Sequence, residues 1–600
     1  MKMRLADYVS DFLVKVGITD VFCVTGGGAM HLDDAICHDS RLRVTYMHHE
    51  QSCAIAAEAY ARIYNKPACV LVTTGPGGTN ALTGVLCAYL DSVPMLVISG
   101  QVKYETTSRK MNCGVRAAGD QEFDITKCAA HMTKYAVMTE NPSDIRFELE
   151  KAYHLATEAR CGPSWIDIPL DFQSAIIETD ALVEYTHTPH LNSTSTYMAE
   201  YVCEEIAKSR RPVLYAGNGV RLSGGYDEFI KAAEKLKIPV VLGWNSIDLL
   251  PNDNELYAGR AGIMGDRAGN FAVQNADLVI AAGNRLSIRQ VGYNYKTWAR
   301  GAKVIMVDAD KAEMDKPTLH VDKKINADAK DFFEKILECA GEYHLPDFEK
   351  WRTVCRNWVE KYKVTQKKHY EDTDKTNVYA FIDTISKMLK ENSITVVGNG
   401  SACVVGSHAF NIKKGGRFII NSAVASMGYD LPASIGACIA SKDEIICITG
   451  EGSLQMNIQE LQTIITNDLP IKIFVINNGG YHSIRQTQRN FYPEKKLVGI
   501  GPGSGDLTFP DLSKIADAYG YKYFSCHSNE ELKDSLKKAL STRGRLIFEV
   551  FVGENQNFEP KSSSKQLEDG TIVSPPLEDM FPFLPREELK ENMEICKWFT

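Results

Sequence analysis

The chain has 600 residues, 44% of them hydrophobic and 24% charged, with a formal net charge of −9. That length exceeds what one core supports, so an ordinary soluble protein of about three domains is expected. The mild acidity and the lack of any sustained Lys/Arg run argue against nucleic acid or an anionic membrane surface as the main partner.

The N-terminal stretch MKMRLADYVSDFLVKVGITDVF has apolar residues at helical spacing interrupted by Asp7 and Asp11, unlike the core of a secretion signal. No apolar run is long enough to span a bilayer. The 16 cysteines form no CxxC pair or Cys/His cluster. Several, such as Cys69, Cys87 and Cys447, sit in apolar runs and read as reduced core thiols of a cytoplasmic protein.

From residue 4 to about 178, helix and strand patterns alternate: helix 4–16, strand 20–24, helix 51–64, strand 68–73, helix 79–89, strand 93–99, helix 143–159, strand 164–168. This predicts an α/β domain with a largely parallel sheet. His48-His49-Glu50-Gln51 opens an Ala-rich helix, where an acidic side chain complements the dipole with no further role needed. Thr73-Thr74-Gly75-Pro76-Gly77-Gly78 closes a buried strand, either as a sharp reversal or as a turn that lets backbone approach a ligand. Residues 100–130 are polar with little periodicity, and a long loop in a compact domain is more often functional than idle.

Residues 179–197 read as a linker. A second α/β block follows, with strand 212–216, helix 226–236 and strands 238–242, 277–282 and 303–308, the last ending in Asp308. Gly217-Asn218-Gly219 is a lone GxG without full dinucleotide spacing. GIMGDRAGN, with Gly262 and Gly265, and GNRLSIRQVG, with Arg285 and Arg289, offer glycines and arginines to a phosphorylated ligand, or are packing turns.

A charged helical connector around 346–371 leads to a third block, from strand 394–398 with Gly398-Asn399-Gly400-Ser401 to strand 545–551. Within it, strand 444–449, helix 454–468 and strand 471–476 read as one βαβ unit. Parallel strands bring Glu451 and Asn478 to the same sheet edge, a carboxylate and an amide oxygen suited to Mg²⁺ or Ca²⁺. Gly450, Gly452 and Ser453 lie between strand and helix, where free N–H groups favour a phosphate. Residues 554–600 show few regular signals and read as a docking tail.

Taken together, His49-Glu50-Gln51, TTGPGGTN at 73–80, DSVPMLVISGQV at 91–102, DLPASIGA at 430–437, and GEGS at 450–453 followed by Asn477-Asn478 resemble the thiamine diphosphate enzymes of the acetolactate synthase and pyruvate oxidase type, over nearly the whole chain. The resemblance implies three doubly wound parallel-sheet domains: 1–180 for the aminopyrimidine, 197–345 as a central domain with flavin adenine dinucleotide (FAD) as one option, and 376–553 for diphosphate and metal, followed by the tail. It implies that Glu50 hydrogen-bonds the aminopyrimidine ring and helps activate the thiazolium. A carboxyl held against an apolar ring rises in pKa and shares a proton with a weak base. It further implies Met427 as the apolar prop of the bent coenzyme, the Ala425 carbonyl as acceptor from its amino group, and Glu451, Asn478 and the Gly480 carbonyl as Mg²⁺ ligands. Gly75, Pro76, Gly398, Ser401 and Tyr481 complete the expected cofactor set. Because Glu50 and the metal residues lie in different domains, which in that family meet across a subunit boundary, a homodimer or homotetramer is implied.

The departures bear on the substrate mouth. The family's Phe-Gln-Glu appears as Asp120-Gln121-Glu122, its Pro-Lys-Asp lysine as Leu170, its pocket tryptophan as Thr487, and its usual metal-site Asp as Glu451. The implied reaction is decarboxylation of pyruvate or another 2-oxo acid and transfer of the acyl unit to a carbonyl acceptor, either a second 2-oxo acid or a nucleotide-linked keto-sugar. Gln121, Arg289, His482 and Arg485 are expected near an anionic acceptor. A simple decarboxylase and a flavin-dependent oxidase are the alternatives; a non-catalytic binding relative would lack Glu50.

Overall fold

The computed structural model describes residues 1–188, 193–372, 374–566 and 568–595. Three six-stranded sheets, every neighbouring pair parallel, follow one another along the chain. The first contains β1 (Asp20–Cys23), β2 (Arg43–Tyr46), β3 (Cys69–Val72), β4 (Met95–Gln101), β5 (Tyr135–Met138) and β6 (Pro163–Pro169). The second contains β7 (Pro212–Ala216), β8 (Val240–Leu242), β9 (Tyr257–Arg260), β10 (Leu278–Ala282), β11 (Lys303–Asp308) and β12 (Lys323–Asn326). The third contains β13 (Ile394–Val397), β14 (Arg417–Ile419), β15 (Ile445–Gly450), β16 (Ile471–Asn477), β17 (Lys522–Cys526) and β18 (Leu546–Phe551). β3, β7, β10 and β13 are buried throughout, so they carry near-continuous apolar runs rather than alternation.

Spatial order separates the sheets into two kinds. The first runs β2-β1-β3-β4-β6-β5 and the third β14-β13-β15-β16-β18-β17, which is the same path twice. The middle runs β9-β8-β7-β10-β11-β12, the order of dinucleotide-binding folds. The shared path makes α1 (Glu50–Tyr64), after β2, the counterpart of α3 (Asp430–Ser441), after β14. These two helices cross in contact, and one apolar core runs from Val70 and Val97 through Ala56 and Ala433 to Val396 and Ile473. The first and third domains are therefore packed as one body, with Gly436 against the Ala56 backbone.

Four sequence expectations change. Helix 79–89 begins earlier: α2 (Pro76–Leu90) has proline in its first turn, where its missing N–H costs nothing. Helix 454–468 is two helices, Glu451–Met456 and Glu460–Thr466. The break falls at Asn457, whose side-chain amide donates to Gln51 Oε1 and to the Gly428 carbonyl. β2, β5, β9, β12, β14 and β17 escaped the periodicity reading; all six are the outermost strands of their sheets, paired on one side only. The expected linker, 179–197, lies partly outside the described residues; the strand Ile176–Glu178, paired with Lys2–Arg4, precedes it, and its end begins the helix Thr196–Lys208.

The tail lies on the central domain. Arg267 donates to the carbonyls of Met580 and Pro582, Gln274 to Glu578 at 2.6 Å, and the Trp358 indole to Asn592 at 2.8 Å. Among the described residues no helix is long and apolar enough to cross a membrane.

Candidate active site

In a doubly wound sheet the crevice opens beyond the carboxyl ends of the strands, where the order reverses. In the first domain that point lies between β1 and β3. After β3 the chain enters Gly75 with φ 61°, and a Cβ there would stand 2.5 Å from the Gln121 carbonyl oxygen. Gln121 itself has φ 60°. Glu122, buried, accepts from Ser108 N–H and hydroxyl and from Ala118 N–H, folding the 103–124 loop back and holding Gln121 on the turn. The Asn80 amide, one helical turn into α2, donates to Glu50 Oε2 at 2.9 Å. The half-buried Glu50 opens α1 behind His49, whose ring nitrogen accepts from the Gln51 N–H as an N-cap. Glu50, Gly75, Pro76 and Gln121 thus gather at one sheet edge, with Asn80 a participant the sequence reading did not assign.

The equivalent edge of the third domain holds the second group. Glu451 leaves β15 fully turned inward, and its Oε1 accepts from Gly480 N–H at 2.6 Å. Asn478 leaves β16; its Nδ2 donates to Ser401 Oγ at 3.0 Å, while its buried Oδ1 has no partner. Burial pushes the Glu451 carboxyl up to about 7. A raised carboxyl beside an orphaned amide oxygen is a pair of hard donors, and the residues fit Mg²⁺. The Glu451 side chain is long enough to reach the Gly480 N–H across the turn.

Around this pair, Tyr481 packs against Gly452 so closely that a Cβ would enter its ring, and Gly398 likewise has no room for a Cβ beside Asp430. Ser453 Oγ donates to Asp430 at 2.5 Å and accepts from Gly428 N–H at 2.9 Å, so its hydroxyl orders the segment before α3. Ala425 has φ 54°, and its carbonyl accepts from the Asn399 amide at 2.6 Å; Met427 follows, half-buried. Asp91 and Asn399 are further positioning residues the sequence reading did not single out. Asp91 accepts from Arg62 at 2.7 Å and from Ser422 and Ala423 N–H at 2.9 and 3.2 Å. Arg62 also grips Glu58, which accepts from Tyr429 at 2.7 Å, so a buried ionic network ties α1 and α2 to the Met427 segment.

His482 and Arg485 do not line an open anion pocket as expected. The buried Arg485 guanidinium donates to the carbonyls of Asn478 at 2.9 Å, Gly479 at 2.5 Å and Glu554 at 3.1 Å, clamping the loop that carries Asn478. His482 contacts the Gln556 carbonyl through Nε2 at 2.6 Å, and burial lowers its pKa to about 4. Both face inward because backbone carbonyls left by the β16 turn and by the segment after β18 need donors.

A second crevice opens at β7 and β10 of the central domain, closed on one side by Leu90, Ser92 and Arg160 of the first domain. Arg285, Arg289 and Asp308 line it with Asn218, Trp244 and Asn284. Arg285 donates to the Leu90 carbonyl at 2.8 Å, and the Arg289 guanidinium lies 4.9 Å from the Trp244 ring centre. Burial raises Asp308 to about 6. Trp244 Nε1, Asn245 Oδ1 and Asn284 Oδ1 are buried without partners on this wall, which fits a polar ligand. Gly262 and Gly265 do not share it. GIMGDRAGN instead feeds a buried helix, Arg267–Asn275, capped by Asp266, and Gly265 is pressed on the Arg260 backbone; this is the packing-turn alternative.

Family models for the thiamine pyrophosphate enzymes match three stretches: the N-terminal TPP binding domain at 3–127, the central domain at 199–336 and the C-terminal TPP binding domain at 398–550. The acetolactate synthase large subunit of Cyanidium caldarium is 31% identical over 575 residues, covering 93% of this chain and 95% of that one. That of Lactococcus lactis is 32% identical over 553 residues, 91% and 92% respectively. The probable acetolactate synthase large subunit of Methanocaldococcus jannaschii is 30% identical over 563 residues, 92% of each. The chain belongs to the thiamine pyrophosphate enzymes, among the relatives of acetolactate synthase large subunits.

Proposed function

We propose that this protein is a thiamine diphosphate-dependent carboligase that takes pyruvate or a related 2-oxo acid and joins its acyl unit to a carbonyl acceptor. The observation that carries the reading is the buried, unpartnered Asn478 Oδ1 beside Glu451, in a domain matched to TPP binding. When bound, the coenzyme supplies an electron sink for the pair released as carbon dioxide leaves. Glu451, Asn478 and the Gly480 carbonyl would hold Mg²⁺, with Gly398, Ser401, Gly450, Gly452 and Ser453 around the diphosphate. Glu50, fixed at one oxygen by Asn80, keeps the other for a proton shared with the aminopyrimidine. Met427 and Ala425 shape the seat of the coenzyme, and Gln121 stands over the first domain's turn.

In this reading two copies of the chain complete each site, Glu50 from one and the metal loop from the other. The polar partner of Glu50 is Asn80 in its own domain, which leaves its second oxygen to face such a neighbour. The central crevice is assigned to a dinucleotide of the FAD class, supported by its strand order and three unpartnered polar atoms. Free thiols throughout the described residues support a cytoplasmic address. The acceptor differs from that of the biosynthetic enzymes in this account because Asp120, Leu170 and Thr487 replace residues of their substrate mouth. Mass spectrometry of products from pyruvate offered with a panel of 2-oxo acids and nucleotide-linked keto-sugars tests it. A product enlarged by the acyl unit is expected, and acetaldehyde alone under every condition would refute ligation.

A further inference from the structure

Outside the cofactor crevices, two histidines and a glutamate from separate parts of the chain converge on the surface of the first domain. His154 lies in the last turn of the helix Ile145–Thr157, and Glu158 is its C-cap, so the i,i+4 spacing stacks them on one helix face. His187 comes from the irregular stretch after the strand Ile176–Glu178, more than 25 residues along. Glu158 Oε1 lies 3.3 Å from His154 Nδ1 and 2.5 Å from His187 Nε2, and the three ligand atoms all fall within 4.8 Å of one another. All three side chains are partly exposed, at 34%, 26% and 21% for His154, Glu158 and His187, so an ion from solvent reaches them.

We propose that His154, Glu158 and His187 form a site for a divalent transition-metal ion of the Zn²⁺ class. Two imidazoles with one carboxylate are a borderline-soft donor set that Zn²⁺ prefers and Mg²⁺ does not, so the site differs in chemistry from the all-oxygen pair at Glu451 and Asn478. Three protein ligands leave a fourth position for water. The rings of His154 and His187 stand stacked with centroids 4.2 Å apart and planes 4° from parallel, so their lone pairs do not yet converge. Binding requires one ring to turn, and His187, on irregular chain beside an open cleft with Tyr185 and Thr186, is the ring with space to do so. The bound ion would fasten the segment leaving the first domain to that domain's own helix.

The test uses the full chain, stripped with chelator and kept in excess Mg²⁺, titrated with Co²⁺ and then Zn²⁺. One Co²⁺ per chain is expected, with a visible d–d band and no thiolate charge-transfer band, displaced by Zn²⁺. His187→Ala and His154→Gln should each weaken Zn²⁺ binding by at least ~10-fold, as loss of a ligand must exceed loss of an outer-shell partner. His187→Ala alters only irregular surface chain, so its fold serves as the control for His154→Gln. Absence of a stoichiometric site in the wild type, a thiolate spectrum, or unchanged affinity in His187→Ala would each overturn the assignment.

Discussion

The backbone carbonyl of Ala56 occupies the space where a side chain on Gly436 would begin. That contact is the crossing point of α1 and α3, the helices that open with Glu50 and with Asp430 just after Met427. A glycine there lets two helices from the first and third domains touch backbone to backbone, which fixes how the two cofactor edges stand to each other. Gly436→Ala must push them apart. The expected result is a loss of about 1–3 kcal/mol in stability, the range for overpacking a filled core, measured by denaturant unfolding, with weaker coenzyme retention.

If each site draws Glu50 from one copy and Asn478 from another, two dead variants should rescue each other. Glu50→Gln and Asn478→Leu alone should each lose activity, by ~10²-fold or more for the acid–base residue. After unfolding and refolding as a mixture, half of a random dimer population carries one intact site, and activity should return toward one quarter of wild type. Initial rates before and after mixing measure it.

His408 lies buried, and burial lowers its pKa to about 4. The unfolded chain takes up this proton near pH 6.5, so between about 6.5 and 4 the unfolded state binds more protons and stability falls as pH falls. The contribution is fully present above that window. In His408→Phe, thermal midpoints recorded from pH 7 to 4.5 should fall less steeply than in wild type.

The central crevice makes a claim of opposite signs. Asn284 Oδ1 is buried and unpartnered at its wall while its Nδ2 makes one long bond, 3.3 Å, to the Tyr215 carbonyl, so Asn284→Ala should cost the unliganded protein little or raise its melting temperature, because removing the uncompensated acceptor offsets the loss of that bond. Flavin retained through purification, read by absorbance, should fall in the same variant.

The fold was legible where residues repeat a physical constraint. Buried strands such as β7 and β11 declared themselves as apolar runs, and Glu451 and Asn478 could be placed on one edge because parallel strands leave no other arrangement. Arg485 was expected with Arg289 and His482 near an anionic acceptor because a guanidinium suits a carboxylate; its partners are carbonyls from Asn478, Gly479 and Glu554, and backbone carbonyls leave no trace in sequence. Asn399, Asn80 and Asp91 were likewise invisible as positioning residues, since each acts on a segment far along the chain or in another domain. Helix 454–468 read as continuous because its apolar spacing continues across Asn457, whose role in breaking it comes from Gln51 and Gly428.

The most direct test is calorimetric titration of the purified protein with thiamine diphosphate, with Mg²⁺ and then with chelator, in wild type, Asn478→Leu and Glu50→Gln. One coenzyme should bind per chain with Mg²⁺, binding should collapse without metal and in Asn478→Leu, and Glu50→Gln should still bind while losing most of its turnover of pyruvate. Failure of the wild type to bind, or binding indifferent to both metal and Asn478, would contradict the account.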